Sequence, residues 1–186
     1  MEVKGTAVAS LPIYVEAKFG KEGLQRWLDS LSESAQKLYS TSILASKWYP
    51  LKETFVEPTK KICDVFFNGD LRGARECGRY SAELGLKGVL KIFVKMGSPA
   101  FLVSRASTVL PSYYNPCKME TVSSDKTSAL IRITEFPQID KVVEARIIGW
   151  IEMALEIHGC KGVRVVTTAS LTKGDKYSEF KVSWLG

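Results

Sequence analysis

The chain has 186 residues, 45% of them hydrophobic and 25% charged, with a formal net charge of +6 from 26 Lys and Arg against 20 Asp and Glu. This balance is that of a soluble globular protein and excludes a disordered chain. No apolar run reaches the ~18 residues that a membrane-spanning helix needs, and the N-terminus lacks the basic segment, apolar core and cleavage site of a signal peptide. A single cytoplasmic domain over residues 1–186 is expected. Cys63, Cys77, Cys117 and Cys160 are widely scattered, with no C-x-x-C pair and no Cys/His cluster. A structural zinc site therefore has no support, and the four read as reduced, small hydrophobes.

Hydrophobic periodicity predicts a first helix over Ser10–Phe19, closed by Gly20, and a second through Leu24, Trp27, Leu28 and Leu31 at helical spacing. Pro50, in Trp48-Tyr49-Pro50, is placed near the start of a third helix. Pro58 is expected to kink or split it, and Asn68-Gly69 to end it. Asp70 reads as the N-cap of a helix through about Leu84. Gly85 should separate that helix from one over Leu86–Met96, where Lys87, Lys91 and Lys95 form a stripe opposite Val89, Leu90, Phe93 and Val94. The stripe reads as a solvated face rather than a nucleic-acid footprint. Ser98-Pro99 opens a further helix with Leu102, Ala106, Val109 and Tyr113 on one face and an irregular last turn at Pro111.

After this the period changes from helical to alternating. Residues 117–124 and 128–134 flank the turn around Ser124-Asp125-Lys126, with Ala129, Ile131 and Ile133 on one face. A long helix follows over Ile139–His158, with Val143, Ile147, Trp150, Ala154 and Ile157 along one side. Ile148, Ile151 and Leu155 widen that stripe, and Gly159 stops the helix. Strands over Val163–Thr168 and Ser178–Trp184 close the chain, the second alternating strictly at Phe180, Val182 and Trp184. The fold class predicted is α+β: N-terminal helices on a small four-stranded antiparallel sheet, with a long helix between its two hairpins.

Catalytic signals are poor. His158 is the only histidine, and its place in the last turn of the long helix fits an interaction with the helix dipole better than catalysis or metal binding. Neither phosphate-loop pattern occurs. Gly69, Gly73 and Gly78 fit helix boundaries and helix packing, and Glu53 with Glu57 fits a polar helix face. An enzyme is not expected. What remains is a supply of large groups (Trp27, Trp48, Tyr49, Phe93, Phe101, Tyr113, Tyr114 and Trp150) on elements that converge. Helices on a small sheet can leave an apolar cavity between the layers. Arg79 and Arg105 are candidates to neutralise an acidic end of a ligand, although both sit on faces that fit the surface.

Short motifs carry a resemblance. Lys4-Gly5-Thr6 followed by Val15-Glu16-Ala17-Lys18-Phe19-Gly20-Lys21-Glu22 resembles the start of haem-nitric-oxide-binding (H-NOX) domains. The segment from Lys173 to Trp184 resembles the closing hairpin of 4-vinyl-reductase-type domains, a superfamily that includes small subunits of vesicle-tethering (TRAPP) complexes. The chain is also similar to a bacterial family of uncharacterised domains sharing this opening, Ser46-Lys47-Trp48-Tyr49-Pro50-Leu51 and Gly78-Arg79-Tyr80. The resemblance implies a ligand sensor or interaction module that holds its ligand between helices and sheet. It also implies an axial histidine on the helix over Ser98–Tyr114, where this chain offers only residues such as Ser104, Ser107 and Thr108. The Tyr-x-Ser-x-Arg motif that holds haem propionates is missing too, Tyr113-Tyr114 being followed by Asn115-Pro116-Cys117. Cys117 or Tyr113 would be the remaining iron donors, and Ser178 stands where the closing hairpin of 4-vinyl-reductase-type domains often has a cysteine.

The expectation is thus a haem-free sensory or regulatory domain, with no cofactor, that binds a small hydrophobic or lipid-like molecule. Phe101, Arg105, Tyr113, Ile147, Trp150 and Ile151 are the pocket residues expected. The alternatives are a homodimeric interaction scaffold of the TRAPP-subunit type, or a signalling-protein partner, and then a haem-based gas sensor. Nucleic acid is not an expected partner.

Overall fold

Among the described residues two antiparallel sheets organise the chain, one of four strands and one of three very short ones. The computed structural model describes residues 1–86 and 97–185, so the predicted lysine stripe and Phe93 lie outside the described residues. The order is β1 (Glu2–Lys4), α1 (Gly5–Asp29), α2 (Glu33–Tyr39), β2 (Trp48–Pro50), a π-helical turn (Lys52–Val56), α3 (Glu57–Phe67) and α4 (Arg72–Leu86). After residue 96 come α5 (Pro99–Ser104), α6 (Ala106–Val109), a 3-10 turn (Leu110–Ser112), β3 (Tyr114–Asn115), β4 (Lys118–Ser124) and β5 (Ser128–Glu135). The chain then runs through α7 (Lys141–His158), β6 (Lys161–Ala169), a 3-10 turn (Leu171–Lys173) and β7 (Ser178–Leu185).

The larger sheet runs β4-β5-β7-β6, with α7 inserted between its two hairpins as expected. Alternation decides which face is covered. Ala129, Ile131 and Ile133 of β5 pair with Val182, Phe180 and Ser178 of β7, and the apolar members of both sets are buried. They join Val142, Val143, Ile147, Ile151 and Leu155 of α7 in one contiguous core. Trp184 closes that face, its indole N–H donating to the carbonyl of Lys126 at 3.0 Å. Asp140 caps α7 by accepting from the N–H of Val142, and Gly159 ends it in a left-handed conformation.

The N-terminal half departs from the sequence expectation in four places. Helix α1 begins at Gly5 rather than Ser10, because β1 leads straight into it. Gly20 still separates its two halves: φ of 70° and ψ of −176° there break the helical path. Trp48-Tyr49-Pro50 forms a short strand, with Val3 opposite Tyr49 and Glu2 opposite Pro50, and the helical run begins directly after Pro50 as expected. Proline is tolerated at such a strand end because no ladder N–H is needed from it. Trp48 lies under the ammonium group of Lys4, 4.5 Å from its ring centre.

The predicted split at Pro58 takes the form of a change from π to α geometry, which places Pro58 in the first turn of α3. There its missing N–H matters least. The carbonyl of Thr54, which an N–H at position 58 would have met, accepts instead from the Tyr39 phenol at 2.7 Å, and the carbonyl of Pro58 accepts from the Trp27 indole at 3.0 Å. Finally, Gly85 does not end α4, which continues through Leu86.

Helices α4 and α7 cross in close backbone contact. A Cβ at Gly78 would lie 2.0 Å from the carbonyl oxygen of Arg146, and one at Gly149 would lie 2.0 Å from that of Arg75. The two backbones touch at both points. Beside the crossing, Glu152, 3% exposed, accepts a forked pair of bonds from the Arg75 guanidinium, while Arg79 lies 3.6 Å away and binds Glu156 at 2.5 Å. Gly78→Ala or Gly149→Ala must push the helices apart, and should lower stability by about 2–3 kcal/mol. A urea-unfolding midpoint unchanged in both variants would contradict the crossing as described.

Candidate functional site

A cavity of about 450 Å³ lies where the first half of α1, the end of α4, the segment from α6 to Tyr114, and α7 converge. That volume is in the range of small-molecule sites. Helix α1 contributes Thr6, Ala7, Ala9, Ser10 and Ile13, because residues three and four apart share a helix face. By the same spacing α4 presents Ser81, Leu84 and Gly85, and α7 presents Arg146, Ile147, Trp150 and Ile151. Ala106, Val109, Leu110, Tyr113, Tyr114 and Met119 form the remaining wall with Ala45. Ile13 and Leu84 on this lining are large hydrophobics left 48% and 36% exposed, so they mark its outer edge. Ser10, Tyr114, Met119 and Arg146, all buried, mark its inner end.

Among the described residues Arg146 is the one cation in this lining, and it is 3% exposed. Its Nη2 donates to the Ser10 hydroxyl at 3.3 Å, and that hydroxyl in turn donates to the carbonyl of Ala7 at 2.7 Å. The guanidinium carbon lies 4.4 Å from the centre of the Phe55 ring. Nη1 is buried with no hydrogen-bond partner, and among the described residues no carboxylate pairs with the group. The titratable neighbours that feel its charge are Tyr14, Tyr39, Cys63, Cys77 and Tyr114. Burial raises all five, taking Cys77 and Tyr114 to about 12 even though Arg146 pulls both back. None of them carries a negative charge at neutral pH. A cation–π contact supplies about 2 kcal/mol when desolvated, whereas burying an unpaired ion costs several kcal/mol. Among the described residues the positive charge of Arg146 is therefore left without a matching negative charge.

The other buried charges among the described residues are paired or amply hydrogen-bonded. Glu152 has its arginines, and Glu144, 8% exposed, accepts from the hydroxyls of Ser170 at 2.8 Å, Thr172 at 3.3 Å and Ser178. A second, polar depression around Cys63, Asp64 and Thr172 is spanned by the Lys60–Asp140 ion pair at 2.7 Å.

Of the six pocket residues expected from the sequence, Tyr113, Ile147, Trp150 and Ile151 line the cavity. Phe101 and Arg105 do not. The predicted helix breaks at Arg105 into α5 and α6, so its phase does not carry through, and Arg105 is exposed, 5.7 Å from the centre of the half-exposed Phe101 ring. Arg79 is spent on Glu156 and Glu152. The hydroxyls of Ser104 and Ser107 bond back to the carbonyls of Phe101 and Ser104, and neither these residues nor Thr108 line the cavity. His158 makes no hydrogen bond to the last carbonyls of α7, which are taken by the N–H groups of Gly159 and Cys160, and its Nε2 is buried without a partner. Arg146 is the site residue that sequence reasoning misses. Its signal is there, as a charged residue within the apolar stripe of Val143, Ile147 and Trp150.

Known proteins place the fold. No protein-family model and no curated protein sequence matches the chain. Solved structures do. An H-NOX protein from S. oneidensis in the Fe(II)NO ligation state is similar at a TM-score of 0.76 and 12% identity, over 98% of this chain and 99% of that one. The Fe(II) unliganded H-NOX protein from K. algicida is similar at 0.73 and 9% identity, over 98% and 97%. A mutant of the T. tengcongensis H-NOX is similar at 0.68 and 14% identity, over 98% of each chain. The fold is therefore H-NOX-like α+β.

Burial also sets the alkaline behaviour. The Cys77 and Cys117 thiols are pushed up from 9.0 to about 12, and Cys63 and Cys160 rise as well. Below the ordinary thiol value of 9.0 both folded and unfolded chains keep these protons, so no stability changes hands. Above it the unfolded chain releases protons that the folded chain retains, and stability falls as pH rises toward about 12. The urea midpoint should hold steady from neutral pH to about pH 8.5 and then decline. Iodoacetamide at neutral pH should label Cys77 only after unfolding; rapid labelling of the native protein would contradict this burial.

Proposed function

We propose that residues 1–186 form one non-enzymatic sensory domain that binds a small hydrophobic or amphipathic molecule in this cavity, without haem. The observation that carries the reading is the cavity itself: about 450 Å³ walled mainly by Ala, Val, Leu, Ile, Met and Trp side chains at the meeting of four segments. Close packing normally fills such a space. The likeness to H-NOX proteins supports a ligand held in this kind of fold.

Haem fits the lining poorly. Haem iron is held by histidine, a cysteine thiolate, a methionine–histidine pair or tyrosine, and among the described residues no histidine or cysteine lines the cavity. Tyr113 and Tyr114 offer phenol oxygens, but burial raises both, which opposes the ionised oxygen that iron prefers. One buried arginine also faces the two propionates that haem would bring. The reading as a sensor rather than an enzyme is supported by His158, the only histidine in the chain, which lies outside the lining with its Nε2 unpartnered.

Native mass spectrometry of protein purified from its own host should show a bound small molecule. Ala106→Phe, which fills the cavity from α6, should lose that mass while its melting temperature stays within about 5 °C of the parent. Incubation with haem should give no Soret band. A stoichiometric Soret band would replace this proposal with a haem sensor, and an empty protein from its own host would count against any small ligand.

A further inference from the structure

We propose that Arg146 is the anchor for the head of a carboxylate amphiphile, which enters the cavity head first with its apolar body reaching outward along α7. This rests on the cavity being a ligand site, and it adds the chemical class and orientation of the ligand. Three observations meet here. Arg146 is 3% exposed in a mainly apolar lining, with Nη1 unpartnered and no carboxylate of the described residues to balance it. Its position is held rather than free: Nη2 is tied to Ser10 at 3.3 Å, Phe55 lies beneath it, and the Arg146 backbone carbonyl is pinned against Gly78. The lining also ranges from buried to exposed, Arg146 and Ser10 being buried while Ile13 and Leu84 are exposed.

These features select among anions. A planar guanidinium with a free Nη1 matches a carboxylate, which accepts from it with charge assistance. One guanidinium balances one negative charge, so a phosphate monoester dianion would leave a second charge buried. An inorganic anion would satisfy Arg146 but leave the apolar walls unused, whereas an alkyl or aryl body covers Val109, Ile147, Trp150 and Ile151 on the way to Ile13 and Leu84. A neutral amphiphile of the same length would fill the walls but leave the charge unmatched.

Isothermal titration calorimetry of the full chain with decanoate and with decanol at neutral pH tests this directly. Decanoate should bind at least about tenfold more tightly than decanol, the gain expected of a charge-assisted hydrogen bond to a buried partner. Arg146→Met should bring decanoate down to the affinity of decanol or below, and should leave decanol within about threefold of its parent value. Equal binding of acid and alcohol by the parent protein would overturn the anchor while leaving the cavity reading intact. Binding of neither would overturn both. The acid–alcohol comparison needs no variant, so it stands even if Arg146→Met does not fold.

Discussion

The contact on which the rest of this structure depends is the bare crossing of α4 and α7. Gly78 and Gly149 remove side chains where the helices meet, so backbone rests on backbone and the two axes cannot slide. The carbonyl that Gly78 admits belongs to Arg146, and the one that Gly149 admits belongs to Arg75. A single packing solution thereby positions two arginines with opposite fates. Arg75 reaches the Glu152 carboxylate beside the crossing, where its charge is cancelled, while Arg146 lines the cavity with its charge intact. What the helices give up in side-chain burial at the crossing they regain as precision in the cavity wall.

Charge matching divides this interior into finished and unfinished parts. Glu144 collects hydroxyl donors from the loop between β6 and β7 and from the start of β7 itself, so a buried carboxylate helps hold the second hairpin to α7. Glu152 is held by arginines. Both arrangements satisfy the rule that buried charge is paired or amply hydrogen-bonded. Arg146 sits on the same helix, buried at least as deeply, and departs from that rule. Departures of this kind gather where a protein meets something else.

The sequence carried the parts of the fold that depend on periodicity and on turn chemistry. The alternation through Phe180, Val182 and Trp184, the Ser98-Pro99 start and the Gly159 stop appear in the structure as read. Strands of two or three residues, such as Tyr114–Asn115 and Trp48–Pro50, have no period to read, and they exist because they pair with Glu2–Lys4 across the chain. Arg105 and Arg146 show the same limit at the cavity. Each is an arginine on a mixed helix, and only the break between α5 and α6 sends one to solvent while the glycine crossing holds the other inside. Ile147, Trp150 and Ile151 on unbroken α7 line the cavity, as does Tyr113 beyond the break, whereas Phe101 does not.

The four tryptophans occupy three different kinds of environment. Trp27 and Trp184 are nearly sealed, with indole N–H groups fixed on the carbonyls of Pro58 and Lys126. Trp48 sits beneath the Lys4 ammonium group, and Trp150 alone lines the cavity. The molecule therefore carries a built-in optical probe. Light absorbed and re-emitted at position 150 responds to whatever displaces water from beside it, while the two sealed indoles supply a constant background.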